Sequence, residues 1–346
     1  MPVEFKKTNY EFTYLDPRQD FAESPISLEA RFDPLTGEVT NIYGSQFRSY
    51  LPGLSKADLS SVVEKSLKLG CPFCPESIDQ MTPRFPERFI KEGRIERGEA
   101  RVFPNMMPYA PHCAIGLFSR QHFYELPDLP PGLLADGLAA SVGYLTRVGE
   151  YDPAVRFANI SWNHLPPSGG SIIHPHLQVL ASYGPSNRHR ELLRASREYL
   201  KENGTSYWSD LVAMEKERGE RYLGTSGRVC WLLPFAPRGR MLDVMAVFEG
   251  VETVHDLTME VLKDLSTGLN NLFRYLDDRN MCSFNMSIYI GYQPEGGFWC
   301  HARVVPRTLF PPMGISDVSF LELLHDQPGT LRSPEEACAE MRPFFS

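Results

Sequence analysis

The chain has 346 residues, of which 42% are hydrophobic and 23% are charged. This composition is typical of a folded globular protein of one or two domains and excludes a chain that is disordered throughout. A formal net charge of −8 argues against a nucleic-acid partner, although a small phosphate ester could still be bound locally. No window approaches the roughly 18 consecutive apolar residues of a membrane span and the N-terminus has no signal-type apolar run, so we expect a cytoplasmic protein without membrane contact.

In chain order, the sequence first predicts a β-rich segment (residues 101–118), a helix (130–151) and a strand pair that ends at a histidine motif around His174. Charged residues at helical spacing then predict a connecting helix over residues 187–219. These elements form the first of two similar runs.

The second run repeats the order, with a β-rich segment (228–248), a helix (254–278) and a strand pair that ends at His301. Within this helix, leucine and valine at spacings of three and four form the stripe of a helix that lies on a sheet. The repetition of the whole order suggests that one unit occurs twice.

Sequence landmarks support this duplication. The segment MPYAP at 107–111 recurs as LPFAP at 233–237, 126 positions later, and Asn159 and Asn285 are separated by the same interval. A Gly-Gly pair four residues before a histidine also occurs twice, as Gly169-Gly170 with His174 and, 127 positions later, as Gly296-Gly297 with His301. The sequence therefore predicts an α+β fold of tandem duplicated units, mainly antiparallel sheet with helices packed on it, divided into residues 1–186 and 187–346.

The densest polar constellation is the motif that contains His174, His176 and Gln178. Side chains alternate along a strand, so the three are expected on one face, with Ile173, Leu177 and Val179 buried on the other. Three polar groups on one face of an apolar strand are costly unless they are paired or used. The preceding Gly169, Gly170 and Ser171 allow close backbone approach and could hold an anion.

Seven cysteines are scattered along the chain apart from Cys71 and Cys74, which form one Cys-x-x-Cys pair. An odd, scattered set is not a disulfide scaffold. The close pair indicates either half of a zinc site or a redox pair, and the residues alone do not choose between them.

Together, the His-Pro-His-x-Gln motif, the Cys-x-x-Cys pair, the duplication and the segment DPLTG at 33–37 resemble the galactose-1-phosphate uridylyltransferase branch of the histidine triad superfamily, over residues 26–342. The resemblance implies that His176 attacks the α-phosphorus of a nucleotide sugar and forms a covalent nucleotidyl-histidine, which a second substrate resolves. It also implies that Gln178 stabilises the phosphate without activating water, because relatives with a third histidine at this position commonly hydrolyse. Neutral imidazole is a suitable nucleophile for this chemistry near neutral pH.

Further roles follow from the same resemblance. Asn163 and Ser171 match positions that contact phosphate, Asn105 matches an asparagine near the nucleotide, and Arg48 matches an arginine near the phosphates. Asn163 is equally compatible with a turn residue, and Arg48 with a solvated surface charge. Relatives build the active site across two subunits, so we expect a homodimer whose ligands are a nucleotide and a phosphorylated acceptor.

The resemblance also completes the metal site. It implies a structural zinc ion held by Cys71, Cys74, His122 and His174, with His112 as the rival to His122. Four protein ligands leave no open position for substrate.

Three departures from the family pattern limit the assignment. His301-Ala302-Arg303 places Arg303 opposite His176, which predicts that the second copy has lost its nucleophile, and the second metal of some relatives is expected to be absent. The segment 313–327 has no Lys or Tyr for a hexose phosphate and keeps only Glu322 and Gln327 as plausible polar contacts. Galactose specificity is therefore in doubt, and three functions remain open: nucleotidyl transfer to a sugar 1-phosphate or to inorganic phosphate, hydrolysis of nucleotide sugars or dinucleotides, and nucleotide binding or a zinc scaffold without turnover.

Overall fold

The computed structural model describes residues 3–43, 58–310 and 314–346. Its strands, in chain order, are β1 (Lys7–Asp16), β2 (Ala22–Phe32), β3 (Val39–Tyr43), β4 (Ile95–Arg97), β5 (Ala100–Pro104), β6 (His112–Leu117), β7 (Phe157–His164), β8 (His176–Ser182), β9 (Tyr222–Ser226), β10 (Val229–Leu232), β11 (Val244–Phe248), β12 (Ser283–Gly291), β13 (His301–Arg307), β14 (Leu309–Phe310), β15 (Ile315–Ser316) and β16 (Gly329–Thr330). Its α-helices are α1 (Leu59–Leu69), α2 (Ile78–Met81), α3 (Pro131–Tyr151), α4 (Asn187–Asn203), α5 (Tyr207–Arg218), α6 (Met259–Asp278), α7 (Phe320–Leu324) and α8 (Pro334–Met341).

A large antiparallel sheet forms the centre of the molecule. In the described part of the chain it has ten strands in the order β4-β5-β6-β8-β7-β12-β13-β11-β10-β9. The first five belong to one copy of the repeat, and the last five are their counterparts in reverse order. The predicted α+β class and the duplication are therefore confirmed.

The two copies meet where β7 pairs with β12. Ser161 lies opposite Ser287, its own counterpart 126 positions later, and their hydroxyl oxygens are 3.0 Å apart. When a residue pairs with its own equivalent, a two-fold axis passes between them. The duplication is thus also a local symmetry of the sheet.

Helices α3 and α6 cover one face of this sheet and form its main core. Helix α3 begins at Pro131, a residue that suits a first helical turn because its missing N–H would have had no partner there. Helix α6 begins after Thr258, whose hydroxyl accepts from the backbone N–H of Val261. The predicted helix at 130–151 is confirmed, whereas residues 254–256 form a separate 3₁₀ turn before α6.

In the second copy, α4 and α5 cover the opposite face of the sheet. In the first copy, Phe73 and Ile78 pack against Phe103 and Leu117 on that face. The predicted continuous helix at 187–219 is wrong, since Gly204 takes a left-handed conformation (φ 75°) and turns the chain between the two helices. Trp208 and Leu211 from α5 pack on Leu232 and Val247 of the sheet. In the first copy, the corresponding face carries the polar histidine motif.

A smaller sheet of order β1-β2-β3-β16 ties the N-terminal part of the chain to its C-terminal part. The buried guanidinium of Arg31 on β2 donates to Glu335 of α8, which also accepts from buried Arg221. Among the described residues, no helix combines the length and apolar character that a membrane crossing requires.

Candidate functional site

His176 begins β8 and lies near the centre of the large sheet. Its Nδ1 is 2.8 Å from the carbonyl oxygen of His174. A carbonyl only accepts, so Nδ1 carries the proton and Nε2 keeps its lone pair. The ring of Phe73 meets the imidazole edge-on at 5.3 Å and restricts its rotation. The imidazole is therefore held in the tautomer whose Nε2 can act as a nucleophile.

Burial sets the protonation state of this imidazole. Desolvation lowers the pKa of His176 below its usual value of 6.5, and the hydrogen bond to the His174 carbonyl opposes this only in part. His176 is therefore neutral at pH 7, as a nitrogen nucleophile must be.

Gln178 lies on the same sheet face, two residues along β8. Its Oε1 accepts from Nδ2 of Asn105 at 2.9 Å, and Oδ1 of Asn105 accepts from the backbone N–H of Met107 at 2.9 Å. These bonds fix the orientation of both amides, so the N–H₂ group of Gln178 points away from Asn105. Asn105, expected near the nucleotide, holds Gln178 in the structure.

A tight loop precedes the motif and places backbone close to His176. Gly169 has φ 87°, in the region that favours glycine, and a Cβ on Gly170 would lie 2.8 Å from the carbonyl oxygen of Asn163. Leu165 is buried with φ 66°, a conformation that is strained for a branched side chain. Ser171 is exposed at the end of this loop. The two glycines and the packing of Leu165 thus hold the loop in one conformation.

Asn163 is an exposed residue near the end of β7, beside this loop, and accepts a hydrogen bond from the second copy of the repeat. Nδ2 of Asn285 donates to Oδ1 of Asn163 at 2.7 Å and to the carbonyl oxygen of Ser168 at 2.8 Å. In the sequence, Asn285 stands out only as a landmark of the repeat. Its position 122 residues away gave no signal of this contact.

His174 does not share the strand face of His176, because β8 starts only at His176. Its imidazole turns instead toward Cys71 and Cys74, with Nδ1 at 3.9 and 3.7 Å from their Sγ atoms. Nδ1 of His122 lies 3.2 Å from Sγ of Cys74, and one atom from each of the four residues falls within 4.8 Å of the others. A tetrahedral ion with bonds of about 2.0–2.3 Å separates such donor atoms by roughly 3.4–3.8 Å. The spacing therefore fits a group that could hold a metal ion.

The outer nitrogens of both histidines are also bonded. Nε2 of His174 lies 3.0 Å from the carbonyl oxygen of Ser119, and Nε2 of His122 lies 2.7 Å from the hydroxyl of Ser66. These contacts leave the Nδ1 lone pairs directed at the cysteines, as metal-binding imidazoles require. The rival His112 lies elsewhere, with Nε2 2.8 Å from Asp152.

Known proteins resemble this chain in sequence and in fold. No family model matches the chain. An uncharacterized protein of Archaeoglobus fulgidus is 31% identical over 322 residues, which are 92% of this chain and 93% of that protein, so the two belong to one family. Among solved structures, an ADP-glucose phosphorylase from Arabidopsis thaliana with bound ADP-glucose is 17% identical with a TM-score of 0.70, and covers 91% of this chain and 98% of its own. A GalT-like protein of the same plant gives a TM-score of 0.69 at 18% identity, covering 91% of this chain and 98% of its own.

A uridylyltransferase gives a TM-score of 0.64 at 19% identity, covering 91% of this chain and 98% of its own. The chain therefore shares the fold of the uridylyltransferase and of the ADP-glucose phosphorylase. The resemblance stated from the sequence motifs is thus confirmed for the fold, over most of the chain.

Within this uridylyltransferase-like fold, the structure corrects the alignment of the second copy. Gln178 pairs with Ser161, and Arg303 pairs with Ser287, so Arg303 is the counterpart of Gln178. By the same register His301 is the counterpart of His176, and its Nδ1 likewise lies 3.0 Å from the carbonyl two residues earlier, that of Trp299. The prediction that Arg303 replaces the nucleophile is wrong. The second copy keeps a histidine there.

His301 is nevertheless covered. The ring of Trp208 lies flat on it at 4.1 Å and that of Tyr289 at 5.1 Å, and its exposed fraction is 0%. Arg303 is buried beside it and donates to Asp243 at 2.8 Å. The second copy thus retains the imidazole and has lost access to it.

The remaining sequence predictions fall into two groups. Arg48 lies outside the described residues, so its contact with phosphate stays a prediction, as does the domain boundary at 186/187. Glu322, expected as a polar contact for a hexose, closes the capping box of α7 by accepting from the N–H of Ser319 at 2.9 Å, and it lies 3.4 Å from Arg240. Gln327 donates its backbone N–H to Leu321.

Proposed function

We propose that this protein is a nucleotidyltransferase that acts through a covalent nucleotidyl-His176 intermediate. The observation that carries the proposal is the imidazole of His176, which is neutral, is fixed through Nδ1 and makes no hydrogen bond from Nε2 to any described residue. The resemblance in sequence and the shared fold support the same assignment. In this fold, function still has to be argued from the site itself.

In the proposed first half-reaction, Nε2 of His176 attacks the α-phosphorus of a nucleoside diphosphate sugar. The N–P bond forms as the bond between the α-phosphorus and the bridging oxygen breaks, and the sugar 1-phosphate leaves with that electron pair. Attack makes the imidazole cationic. The carbonyl of His174, 2.8 Å from Nδ1, stabilises this charge because it accepts the Nδ1 proton's hydrogen bond throughout.

Gln178 supports this step by donating its amide N–H₂ to a non-bridging oxygen of the α-phosphate. Asn105 occupies the Gln178 carbonyl oxygen, so the donor end faces the substrate. An amide has no pKa near neutrality and cannot take a proton from water. This favours transfer over hydrolysis.

In the proposed second half-reaction, the acceptor is a sugar 1-phosphate. This acceptor would make the reaction similar to that of a uridylyltransferase. A phosphate oxygen of the acceptor attacks the α-phosphorus, and the N–P bond breaks to return neutral His176. Inorganic phosphate is the second candidate acceptor. It is favoured by the segment 314–327, where Glu322 is engaged in capping and neither Lys nor Tyr occurs, and by the name of the Arabidopsis ADP-glucose phosphorylase.

We further propose that Cys71, Cys74, His122 and His174 hold a structural zinc ion, because two thiolates and two imidazoles are a preferred donor set of this metal. Zinc would supply cross-linking here and no chemistry on the substrate. The ligand His174 also provides the carbonyl that orients His176, so the site would fix the base of the catalytic strand. The expected homodimer belongs to the same proposal and is testable by light scattering.

The decisive experiment is intact-mass analysis after incubation with a panel of nucleoside diphosphate sugars and nucleoside triphosphates, quenched in alkali. We expect a mass increase equal to one nucleoside monophosphate unit, absent in His176→Ala and present in His301→Phe. The mass identifies the base. No adduct from any donor, in a folded protein that contains its metal, would overturn the proposal.

A chase then identifies the acceptor. The isolated adduct is mixed with galactose 1-phosphate, glucose 1-phosphate or inorganic phosphate, and the products are separated. Recovery of a nucleotide sugar supports the transferase, and recovery of a nucleoside diphosphate supports the phosphorylase. Release of nucleoside monophosphate at the same rate without acceptor would instead identify a hydrolase.

A further inference from the structure

A chain of polar contacts runs from the second copy of the repeat into the loop of the active copy. It links Asp317, Arg307, Asn285 and Asn163. Asp317 is buried and accepts from Nε of Arg307 at 2.9 and 3.0 Å and from its Nη2 at 2.7 Å. The guanidinium of Arg307 is therefore fixed in a bidentate salt bridge with Asp317.

Arg307 decides which way the amide of Asn285 points. Nη1 of Arg307 lies 2.8 Å from Oδ1 of Asn285, and a guanidinium has only donors. The oxygen of Asn285 must face Arg307, so its N–H₂ group faces the first copy. There it donates to Oδ1 of Asn163 at 2.7 Å and to the carbonyl of Ser168 at 2.8 Å.

The same logic fixes the amide of Asn163. Its oxygen is the acceptor for Asn285, so its N–H₂ group points to the exposed side of the strand end, next to the glycine loop. In this orientation Asn163 offers two donors to an anion. With the opposite orientation it would offer lone pairs, which repel a phosphate oxygen.

We propose that Asn285, held by Arg307, is a positioning residue that orients Asn163 toward the phosphates of a nucleoside diphosphate and pins the glycine loop through the carbonyl of Ser168. The inference rests on the proposed function and extends it, since the copy without an accessible nucleophile sets the substrate contacts of the other. Asn285 itself touches no substrate.

The chain supplies a matched control in Asn159, the counterpart of Asn285 in the first copy. Asn159 occupies the same sheet face, but among the described residues its Nδ2 reaches only the carbonyl of Ile288, at 3.5 Å. The two asparagines have equivalent backbone positions and different partners. Substitution at both therefore separates an effect on the loop from a general effect on the sheet.

The test is Asn285→Asp. A carboxylate still accepts from Arg307 but places lone pairs against Oδ1 of Asn163 and the carbonyl of Ser168, so the amide of Asn163 should turn its oxygen outward. We expect the single-turnover rate of adduct formation to fall on the order of 100-fold, as for loss of a transition-state donor. Metal content and melting temperature should stay near wild type. Asn159→Asp should change the rate by less than about threefold.

A double-mutant cycle distinguishes the loss of the Asn285–Asn163 contact from a general effect of misfolding. Asn285→Ala alone should slow adduct formation by about tenfold, and by a clearly smaller factor in an Asn163→Ala background, because the contact with Asn163 is already absent there and only the contact with the Ser168 carbonyl remains to be lost. Equal effects in both backgrounds, or an Asn285→Asp rate no lower than that of Asn159→Asp, would overturn the positioning role.

The two proposals fail in different ways. If the wild-type chain forms no adduct, the proposed function fails, and calorimetry with ADP-glucose as the probe still tests the positioning. There we expect Asn285→Asp to bind the probe at least about tenfold more weakly than Asn159→Asp. Equal affinities, or no binding by the wild type, would refute the inference.

Discussion

The two copies of the repeat place the same imidazole in the same backbone setting and treat it differently. In both, Nδ1 contacts the carbonyl two residues earlier, at 2.8 Å for His176 and 3.0 Å for His301. Phe73 meets His176 edge-on, whereas Trp208 lies flat on His301. The comparison teaches that the same imidazole in the same backbone setting can be shielded by aromatic rings without being replaced.

The largest expected effect separates the two histidines directly. His176→Ala should abolish adduct formation and reduce turnover by at least about 10⁴-fold, because no other group can form the intermediate. His301→Phe should stay within about threefold of wild type, since this side chain is covered and a phenyl ring keeps the stacking on Trp208 and Tyr289. Steady-state rates and adduct mass on both variants check this, and comparable losses in the two would contradict the difference in access.

The second prediction concerns the side chains that hold the first residue of β8 and of β13 in place. In the first copy Cys74→Ser should remove the bound metal and lower the free energy of unfolding by at least about 4 kcal/mol. Metal content by mass spectrometry and urea unfolding measure it, with Cys282→Ser as the control thiol outside the cluster. A variant that still binds one metal ion per chain would show that the ligand assignment is wrong.

The third prediction is the counterpart in the second copy, where aromatic packing lies in place of the proposed metal site. Trp208 is 1% exposed, so Trp208→Ala should destabilise the chain by about 3–5 kcal/mol while leaving metal content unchanged. Calorimetric melting tests it against Trp299→Ala, which removes a partly exposed ring. Equal costs at the two positions would argue that the cover over His301 has no special role.

The smallest effect is a pH dependence of stability. Burial lowers the pKa of His301 to about 3 and that of His189 to about 4. Between these values and 6.5 the unfolded chain binds protons that the folded chain does not, so stability rises with pH and is lost as pH falls. Each histidine contributes up to about 1.4 kcal/mol per pH unit. His301→Phe should therefore flatten the slope of unfolding free energy between pH 5 and 6, and an unchanged slope would contradict the assigned burial.

Much of this architecture could be predicted from the sequence because it depends on local spacing. The helix at 130–151 and the buried Leu177 and Val179 follow from apolar periodicity. The structure also brings together the four side chains that the family resemblance grouped as metal ligands.

What could not be predicted depends on register and on contacts distant in sequence. From Ser161 to Gln178 is 17 residues but from Ser287 to Arg303 only 16, so the second connection is one residue shorter. The Gly-Gly landmark instead indicated that the second connection is one residue longer. The sequence therefore assigned Arg303, and not His301, as the counterpart of His176. Likewise, nothing in the sequence spacing shows that Arg307 contacts Asn285 or that Asn285 contacts Asn163, because the pairing of distant strands brings these residues together.

The Ser161–Ser287 pair also bears on how the molecule could be divided. Antiparallel pairing of β7 and β12 about a local two-fold axis is the geometry of an isologous interface between identical subunits, contained within one chain. A polypeptide that carried only one copy would end in an unpaired strand edge with the same complementarity to itself. Such a fragment would complete its sheet only by pairing through that edge with a second molecule.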